Sequence, residues 1–150
     1  MGFKVYTSGG MGGRTVEEVT KERREIIRLF HGTGVQVLDP WRTEKDDPGS
    51  KIPLQFDYRL MKQYVAKDEY AIRQADLLLT LTGDVPSDGT WWEMGLAHYE
   101  CKIPVVMISP KRARGELMGF SNVKVDAIFG TAKDAVEFIL ANYVHNKGDK

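Results

Sequence analysis

The chain has 150 residues, of which 42% are hydrophobic and 28% are charged. This length and composition predict one globular domain around a single hydrophobic core, and they exclude disorder and fibrous repeats. The formal net charge is zero, from 21 basic and 21 acidic residues. A nucleic-acid polymer is therefore not the expected partner, because binding a phosphate backbone normally requires a basic excess.

The first residues and the cysteine content indicate the compartment. Met1 is followed by neither a basic flank nor a long apolar stretch, so we expect no signal peptide, and no apolar run is long enough to cross a membrane. The single cysteine, Cys101, cannot form an internal disulfide. We therefore expect a cytoplasmic protein that does not contact membranes.

Short β-like runs alternate with amphipathic helical patterns, and this alternation predicts an α/β fold. The predicted elements are strands at residues 3–8, 35–39, 76–82, 104–109 and 125–129 and helices at residues 15–31, 53–75, 90–100 and 131–144. The third and fourth strands, LLLTL and VVMIS, are nearly continuous apolar runs, which is typical of strands covered on both faces. We predict a doubly wound, flavodoxin-like or Rossmann-like parallel sheet of five strands with helices on both faces, forming one domain over residues 1–150.

The first helix has a predicted buried stripe, formed by Val16, Val19, Ile26, Ile27 and Phe30 at a spacing of about 3.6 residues. The charged segment at residues 40–52 is predicted to form a surface loop or lid.

Ligands of such a sheet bind at the carboxyl ends of the strands, where the strand order reverses. The loops at residues 9–14, from residue 40 onward and at 83–89 should therefore converge on one cleft. The first loop contains four glycines between Ser8 and Arg14, and glycine lets backbone N–H groups approach an anion or a sugar closely. Its spacing fits neither the dinucleotide fingerprint nor the P-loop, so a general ligand-contact loop is favoured over a flexible turn.

The segment Ser87-Asp88-Gly89-Thr90-Trp91-Trp92-Glu93 supports two interpretations. In the structural one, Thr90 and Glu93 form a capping box at the start of a helix. In the functional one, Glu93 faces the cleft, because this helix begins above the carboxyl end of a central strand. The local sequence alone favours the capping box.

Three further polar residues are candidates for the same cleft. Asp68 falls on an apolar stripe that includes Met61 and Tyr64, where a carboxylate must be paired, capped or part of a site, unless it reaches water at the stripe edge. Tyr6 precedes the glycine loop and is alternatively a core residue. Asp39 ends the second strand and is alternatively a turn residue.

Three segments together resemble the nucleoside 2-deoxyribosyltransferase superfamily, which includes the 2′-deoxynucleoside 5′-phosphate N-hydrolases. They are KVYTSGG near the N-terminus, Asp68 followed by Ala75-Asp76 before an apolar strand, and SDGTWWEMGLAHYECKIPVVMIS. The similarity covers roughly residues 4–109.

The resemblance implies that Glu93 is the nucleophile that attacks the anomeric carbon of a deoxyribose. It implies that Asp68 hydrogen-bonds the base or sugar and assists departure of the base, and that Tyr6 lies near the nucleophile. Ser87 would contact the 5′ end of the sugar or its phosphate. No metal or organic cofactor is implied.

Members of this superfamily are typically homo-oligomers in which a neighbouring subunit completes the site, and Ser121 or Asn122 is the candidate for that contribution. Arg14 could hold a 5′-phosphate, and at least one of Trp91 and Trp92 could stack on a base. The predicted substrate contacts are Ser8, Gly9, Gly10, Arg14, Ser87, Gly89, Trp91 and Asn122.

The implied function is transfer of a deoxyribosyl group from a 2′-deoxynucleoside to another nucleobase through a covalent glutamyl intermediate. The close alternative is hydrolysis of 2′-deoxynucleoside 5′-monophosphates. A non-catalytic nucleotide sensor on the same fold is a third possibility. A dinucleotide-binding redox domain with Asp39 on a ribose is disfavoured by the glycine spacing.

Overall fold

The computed structural model describes residues 2–41, 47–53, 57–81, 87–117 and 125–145. The strands are β1 (Lys4–Ser8), β2 (Gln36–Leu38), β3 (Leu77–Thr80), β4 (Val105–Ile108) and β5 (Ala127–Phe129). The helices are α1 (Val16–Phe30), α2 (Tyr58–Gln74), α3 (Asp88–Gly95), α4 (Pro110–Ala113) and α5 (Ala132–Ile139). Helices α3 and α5 continue as wider π-helical segments at Leu96–Cys101 and Leu140–Val144.

The five strands form one parallel sheet in the order β2-β1-β3-β4-β5. This is the flavodoxin-like order, and it confirms the predicted fold class. The chain reverses its direction of winding between β1 and β3, whose residues Ser8 and Thr80 are paired at the carboxyl edge. A ligand crevice is therefore expected beyond these two strand ends.

Helices cover both faces of the sheet. On one face, residues of α1 and α5 pack against alternate strand residues, and this layer includes Val5, Ile26, Phe30, Leu77, Leu79, Val106 and Ile139. On the other face, α2 and α3 pack against the intervening strand residues, and this layer includes Tyr6, Ile72, Leu78, Met94, Val105 and Met107. Leu77, Leu78 and Leu79 alternate between the two layers, which explains the continuous apolar run of β3.

The buried face of α1 differs from the predicted stripe at three positions, because Thr20 and Arg23 are buried and Ile27 is not. Ile27 is 46% exposed, whereas Arg23 is only 2% exposed. The buried positions therefore include Val16, Val19, Arg23 and Ile26, which follow the spacing of three and four residues that an α-helix requires. The assignment of Ile27 to the stripe was wrong, and a cation occupies a position on the buried face.

Two helix assignments also change. Helix α2 begins at Tyr58 rather than at residue 53, because the Asp57 side chain accepts hydrogen bonds from the backbone N–H groups of Arg59 and Leu60. The short helix α4 was not predicted. Ser109 caps it and Pro110 occupies its first turn, but its four residues are too few to show helical periodicity.

The described part of the loop after β2 packs against the glycine loop. Ile52 is buried, its N–H group donates to Arg14, and its carbonyl oxygen accepts from Gly13. The prediction of a surface loop or lid is therefore incorrect for Ile52, and residues 42–46 lie outside the described residues. Within the described ranges, no helix has both the length and the apolar character needed to cross a bilayer.

Candidate active site

A cleft of about 510 Å³ opens at the carboxyl edge of the sheet, above β1 and β3. The loop after β1, Pro40 in the loop after β2, helix α2 and the start of α3 all contribute to it, so the described parts of the predicted loops do converge. The lining residues are Gly9, Met11, Gly12, Pro40, Pro53, Met61, Tyr64, Val65, Asp68, Ser87, Asp88, Gly89, Thr90, Trp92 and Glu93.

Helix α3 begins at Asp88, whereas the capping-box interpretation requires Thr90 to be the N-cap. Its N-cap is Ser87, whose side chain accepts from the backbone N–H of Thr90. Thr90 and Glu93 therefore lie within the helix, and both are buried. The capping-box interpretation is wrong, and the Glu93 carboxylate is not used to cap the helix.

Glu93 instead accepts two hydrogen bonds from β1. The Tyr6 hydroxyl donates to Oε2, and the Ser8 hydroxyl donates to Oε1 at 3.2 Å. Tyr6 and Ser8 are separated by one residue, so their side chains project from the same face of the strand. Glu93 is 8% exposed and lines the cleft, which places an oriented carboxylate at its floor.

The environment of Glu93 makes its carboxyl weakly acidic. Burial raises its pKa to about 7, and the charge of Asp68 adds to this increase. The hydrogen bonds from Tyr6 and Ser8 and the charge of Arg23 oppose the increase. Burial and the nearby Glu93 carboxylate raise the pKa of Tyr6 far above its ordinary value, so Tyr6 keeps its proton and remains a donor.

Asp68 lies on the cleft side of α2. Its half-buried side chain lines the cleft together with Met61 and Tyr64, whereas Ile72 and Ala75 further along the helix are buried in the core. The apolar stripe of α2 therefore lines the cleft in the first part of the helix and packs in the core near the end of the helix. The interpretation of Asp68 as part of a site agrees with this placement.

The glycine loop approaches the floor of the cleft closely. Gly9 has a φ of +156°, and a Cβ atom there would lie 2.6 Å from the carbonyl oxygen of Leu81, so a side chain does not fit. A Cβ atom at Gly10 would lie 3.7 Å from Ser87, which brings the first loop next to the start of α3. Gly9 lines the cleft, as predicted.

Several predicted contacts are placed differently. Arg14 forms an ion pair with Glu22 at 2.8 Å and donates to the carbonyl of Gly10, and neither Arg14 nor Gly10 is among the cleft-lining residues. Of the two adjacent tryptophans, Trp92 lines the cleft and the half-buried Trp91 does not.

Asp39 accepts from Arg23 and from the backbone N–H of Trp41, so it has the turn role that was the alternative to a ligand contact. Ser121 and Asn122 lie outside the described residues.

Sequence analysis missed Arg23. Its guanidinium donates to the carbonyl oxygens of Thr7 and Gly9 and lies 3.4 Å from Asp39. The available signal was a charged residue on the apolar stripe of α1, the same signal that identified Asp68 on α2. The predicted stripe contained Ile27, which is exposed, in place of Arg23.

The described residues contain no group of three or more His, Cys, Asp or Glu side chains arranged to hold a metal ion. The arrangement supplies a buried carboxylate with two hydroxyl donors, a second carboxylate on the facing helix and an aromatic ring at the rim. These groups are suited to stabilising positive charge on a sugar carbon and to forming a glycosyl ester.

The sequence matches no protein-family model and no curated protein. The structure is similar to solved structures of three bacterial proteins. One is a 2-deoxyribosyltransferase from Bacillus psychrosaccharolyticus, with a TM-score of 0.65 and 23% identity over 96% of this chain and 94% of that chain. Another is a conserved protein from Enterococcus faecalis V583, with a TM-score of 0.64 and 16% identity over 94% and 99% of the two chains.

The third is a CMP N-glycosidase from Clostridium botulinum, with a TM-score of 0.57 and 15% identity over 91% of this chain and 97% of that chain. The fold that the sequence resemblance implied is therefore confirmed over nearly the whole chain. At these identities the similarity is evidence for the fold, and the activity must be argued from the site.

Proposed function

We propose that this chain cleaves the N-glycosidic bond of 2′-deoxynucleosides and transfers the deoxyribosyl group to another nucleobase. The observation that carries the proposal is the Glu93 carboxylate, held by Tyr6 and Ser8 at the floor of a cleft and released from helix capping by Ser87. Of the solved structures with the same fold, one is named as a 2-deoxyribosyltransferase and another as an N-glycosidase of CMP.

In the first step, a Glu93 oxygen bonds the anomeric carbon while the carbon–nitrogen bond to the base breaks. The electron pair of that bond goes to the base nitrogen, and the base leaves as a neutral molecule after taking up a proton. We assign to Asp68, which lines the cleft from the facing helix, a hydrogen bond to the base and the relay of this proton from water. The product is a deoxyribosyl ester of Glu93.

In the second step, a nitrogen of another base attacks the same carbon from the face that the first base left. The ester bond breaks, its electron pair returns to the Glu93 carboxylate, and the incoming base loses its N–H proton to water. The configuration at the sugar carbon is retained. Attack by water instead of a base gives hydrolysis. The relative access of base and water to the ester therefore decides between the two reactions.

The charges of the described cleft favour a nucleoside over a 5′-monophosphate. The formally charged residues of the described lining are Asp68, Asp88 and Glu93, all acids, and a phosphate dianion would be repelled by them. Arg14, the candidate phosphate ligand, is paired with Glu22. The monophosphate N-glycosidase remains the second candidate because one structural neighbour is a CMP N-glycosidase.

Product analysis distinguishes these reactions. The protein is incubated with a deoxynucleoside and a different free base, and separately with deoxynucleoside 5′-monophosphates, and products are separated by chromatography. We expect the exchanged deoxynucleoside in the first mixture. Free base and deoxyribose 5-phosphate in the second mixture alone would favour the hydrolase, and no product in either would contradict an enzymatic function.

The Glu93→Gln variant tests the nucleophile and the alternative of a non-catalytic sensor. Glutamine keeps the size of the side chain but does not form the ester, so we expect a folded protein that binds substrate without turnover. Intact-mass measurement of the parent should detect a deoxyribose adduct, mapped by digestion to the peptide that contains Glu93. An equally active variant would exclude Glu93 as the nucleophile.

We further propose a homo-oligomer in which a neighbouring subunit contributes to the site. Near the cleft, α2 and α3 expose Tyr58, Met61, Val65 and Trp92, each at least 40% accessible. Exposed apolar side chains grouped beside a site are typical of surfaces that contact a partner. Light scattering should give more than one subunit per particle, and a monomer that is active would contradict this proposal.

A further inference from the structure

Arg23 is a buried cation in a position where α1 needs only an apolar side chain. It lies on the buried face between Val19 and Ile26, which are both fully buried, and is itself 2% exposed. Burying a guanidinium is costly unless its donors are satisfied, and a well-packed apolar side chain at such a position often gives equal or greater stability. The Nε atom of Arg23 has no hydrogen-bond partner in the described part of the chain.

The two terminal nitrogens of Arg23 contact the backbone on both sides of Ser8. Nη1 donates to the carbonyl oxygen of Thr7 at 2.9 Å, and Nη2 donates to the carbonyl oxygen of Gly9 at 3.3 Å. These two carbonyls flank Ser8, whose hydroxyl donates to Glu93. The planar fork of arginine therefore fixes the backbone on both sides of Ser8, which the single ammonium of lysine would do less well.

The charge of Arg23 also acts on Glu93. The groups that influence the pKa of Glu93 are Tyr6 and Ser8 on β1, Asp68 on α2 and Arg23 on α1. Of these, Arg23 carries the positive charge, and it opposes the effects of burial and of Asp68. Asp39, 3.4 Å from Nη1, offsets part of this charge.

We propose that Arg23 is a positioning residue, which holds Ser8 against the Glu93 carboxylate and supplies a positive charge that favours the ionised form needed for attack. Its catalytic consequence rests on the proposed function of Glu93. Its effect on the ionisation of Glu93 is a property of the unliganded protein, and this effect is measurable whether or not the proposed reaction occurs.

The test separates the charge of Arg23 from its geometry. Arg23→Met removes both, and Arg23→Lys keeps the charge but not the fork. Glutamate side chains are labelled with ¹³C at the carboxyl carbon, the Glu93 signal is identified by its loss in Glu93→Gln, and its titration is followed by NMR. We expect the Glu93 midpoint to move to higher pH in Arg23→Met and to remain near the parent value in Arg23→Lys.

Ile26→Val is the matched control for a loss of packing on the same helix, because Ile26 is fully buried in the core layer next to Arg23. It should lower the melting temperature without moving the Glu93 midpoint. If Arg23→Met does not fold, Arg23→Gln, which is also neutral, replaces it in the comparison. A midpoint that is the same in the parent, the neutral variant and Arg23→Lys would overturn the proposed charge effect.

The geometric part is tested by turnover at a pH where Glu93 is fully ionised in every variant. We expect kcat/KM of Arg23→Lys to fall by on the order of 10²-fold, because small displacements of catalytic groups have effects of this size. Turnover equal to that of Ile26→Val would overturn the positioning role. If no variant or parent turns over substrate, the proposed function fails, while the NMR result still decides the ionisation effect.

Discussion

Replacing Glu93 with glutamine should stabilise the folded protein, and the gain should grow with pH. The pKa of Glu93 is raised from 4.5 to about 7, mainly because the carboxyl is buried. One pH unit of displacement corresponds to about 1.4 kcal/mol. The folded chain therefore binds this proton more tightly than the unfolded chain. The stability that the parent gains from binding it is fully present below pH 4.5 and is lost as pH rises through about 7.

Because of this raised pKa, the free energy of unfolding of the parent should fall by roughly 2 to 3 kcal/mol as the pH is raised from 5 to 8 and Glu93 ionises. Glutamine has no such titration. Urea unfolding of the parent and of Glu93→Gln at both pH values gives the change in their difference, in which the other titrating groups cancel. Glu116→Gln, a change at an exposed carboxyl paired with Arg114, is the control and should show no gain at pH 8. If the difference in free energy of unfolding between the two proteins is the same at both pH values, the raised pKa of Glu93 is refuted.

Three further predictions concern the same cleft. For a substrate that does not titrate near neutrality, kcat/KM should rise with pH around a midpoint near 7, since Glu93 must be ionised to attack. Asp68→Asn should move this midpoint to lower pH, because a negative charge near Glu93 is removed. Tyr6→Phe should lower the free energy of unfolding at pH 8 by about 1.5 to 3 kcal/mol, the usual contribution of a hydrogen bond to a charged group, with a smaller loss at pH 5 in the same urea titrations. Trp92→Ala should raise KM roughly tenfold if the ring stacks on a base, whereas Tyr99→Ala, an exposed ring outside the cleft lining, should leave KM unchanged in steady-state assays.

The parallel sheet was predictable because β3 and β4 carry patterns typical of strands buried on both faces, whereas its strand order was left open between the flavodoxin-like and the Rossmann-like arrangement. The run of buried leucines at positions 77–79 is such a pattern, and the helical stripes between the strands require the crossovers of a parallel sheet. The short helix α4 was not predictable in this way, since its four residues complete barely one turn.

The start of α3 shows where local sequence is ambiguous. Both Ser87 and Thr90 are good N-cap residues, and Thr90 has a glutamate three positions later. Tertiary contacts decide between them, because Tyr6 donates to Glu93 from 87 residues earlier in the chain. The same ambiguity explains Trp91 and Trp92, since adjacent residues on a helix differ in direction by about 100° and only one of them faces the cleft.

Three unusual features meet at the end of β1. Gly9 has a conformation and surroundings that exclude a side chain, Glu93 is held where ionisation is unfavourable, and Arg23 is buried with one donor unsatisfied. Apolar substitutes for Arg23 and Glu93 would serve the packing between α1, β1 and α3, as they do elsewhere in both layers. Buried charge and a backbone position restricted to glycine, concentrated at one strand end of an otherwise consistent fold, are typical of functional sites. These three features meet where the cleft reaches Glu93, and packing alone does not require them, which supports a chemical role for this carboxylate.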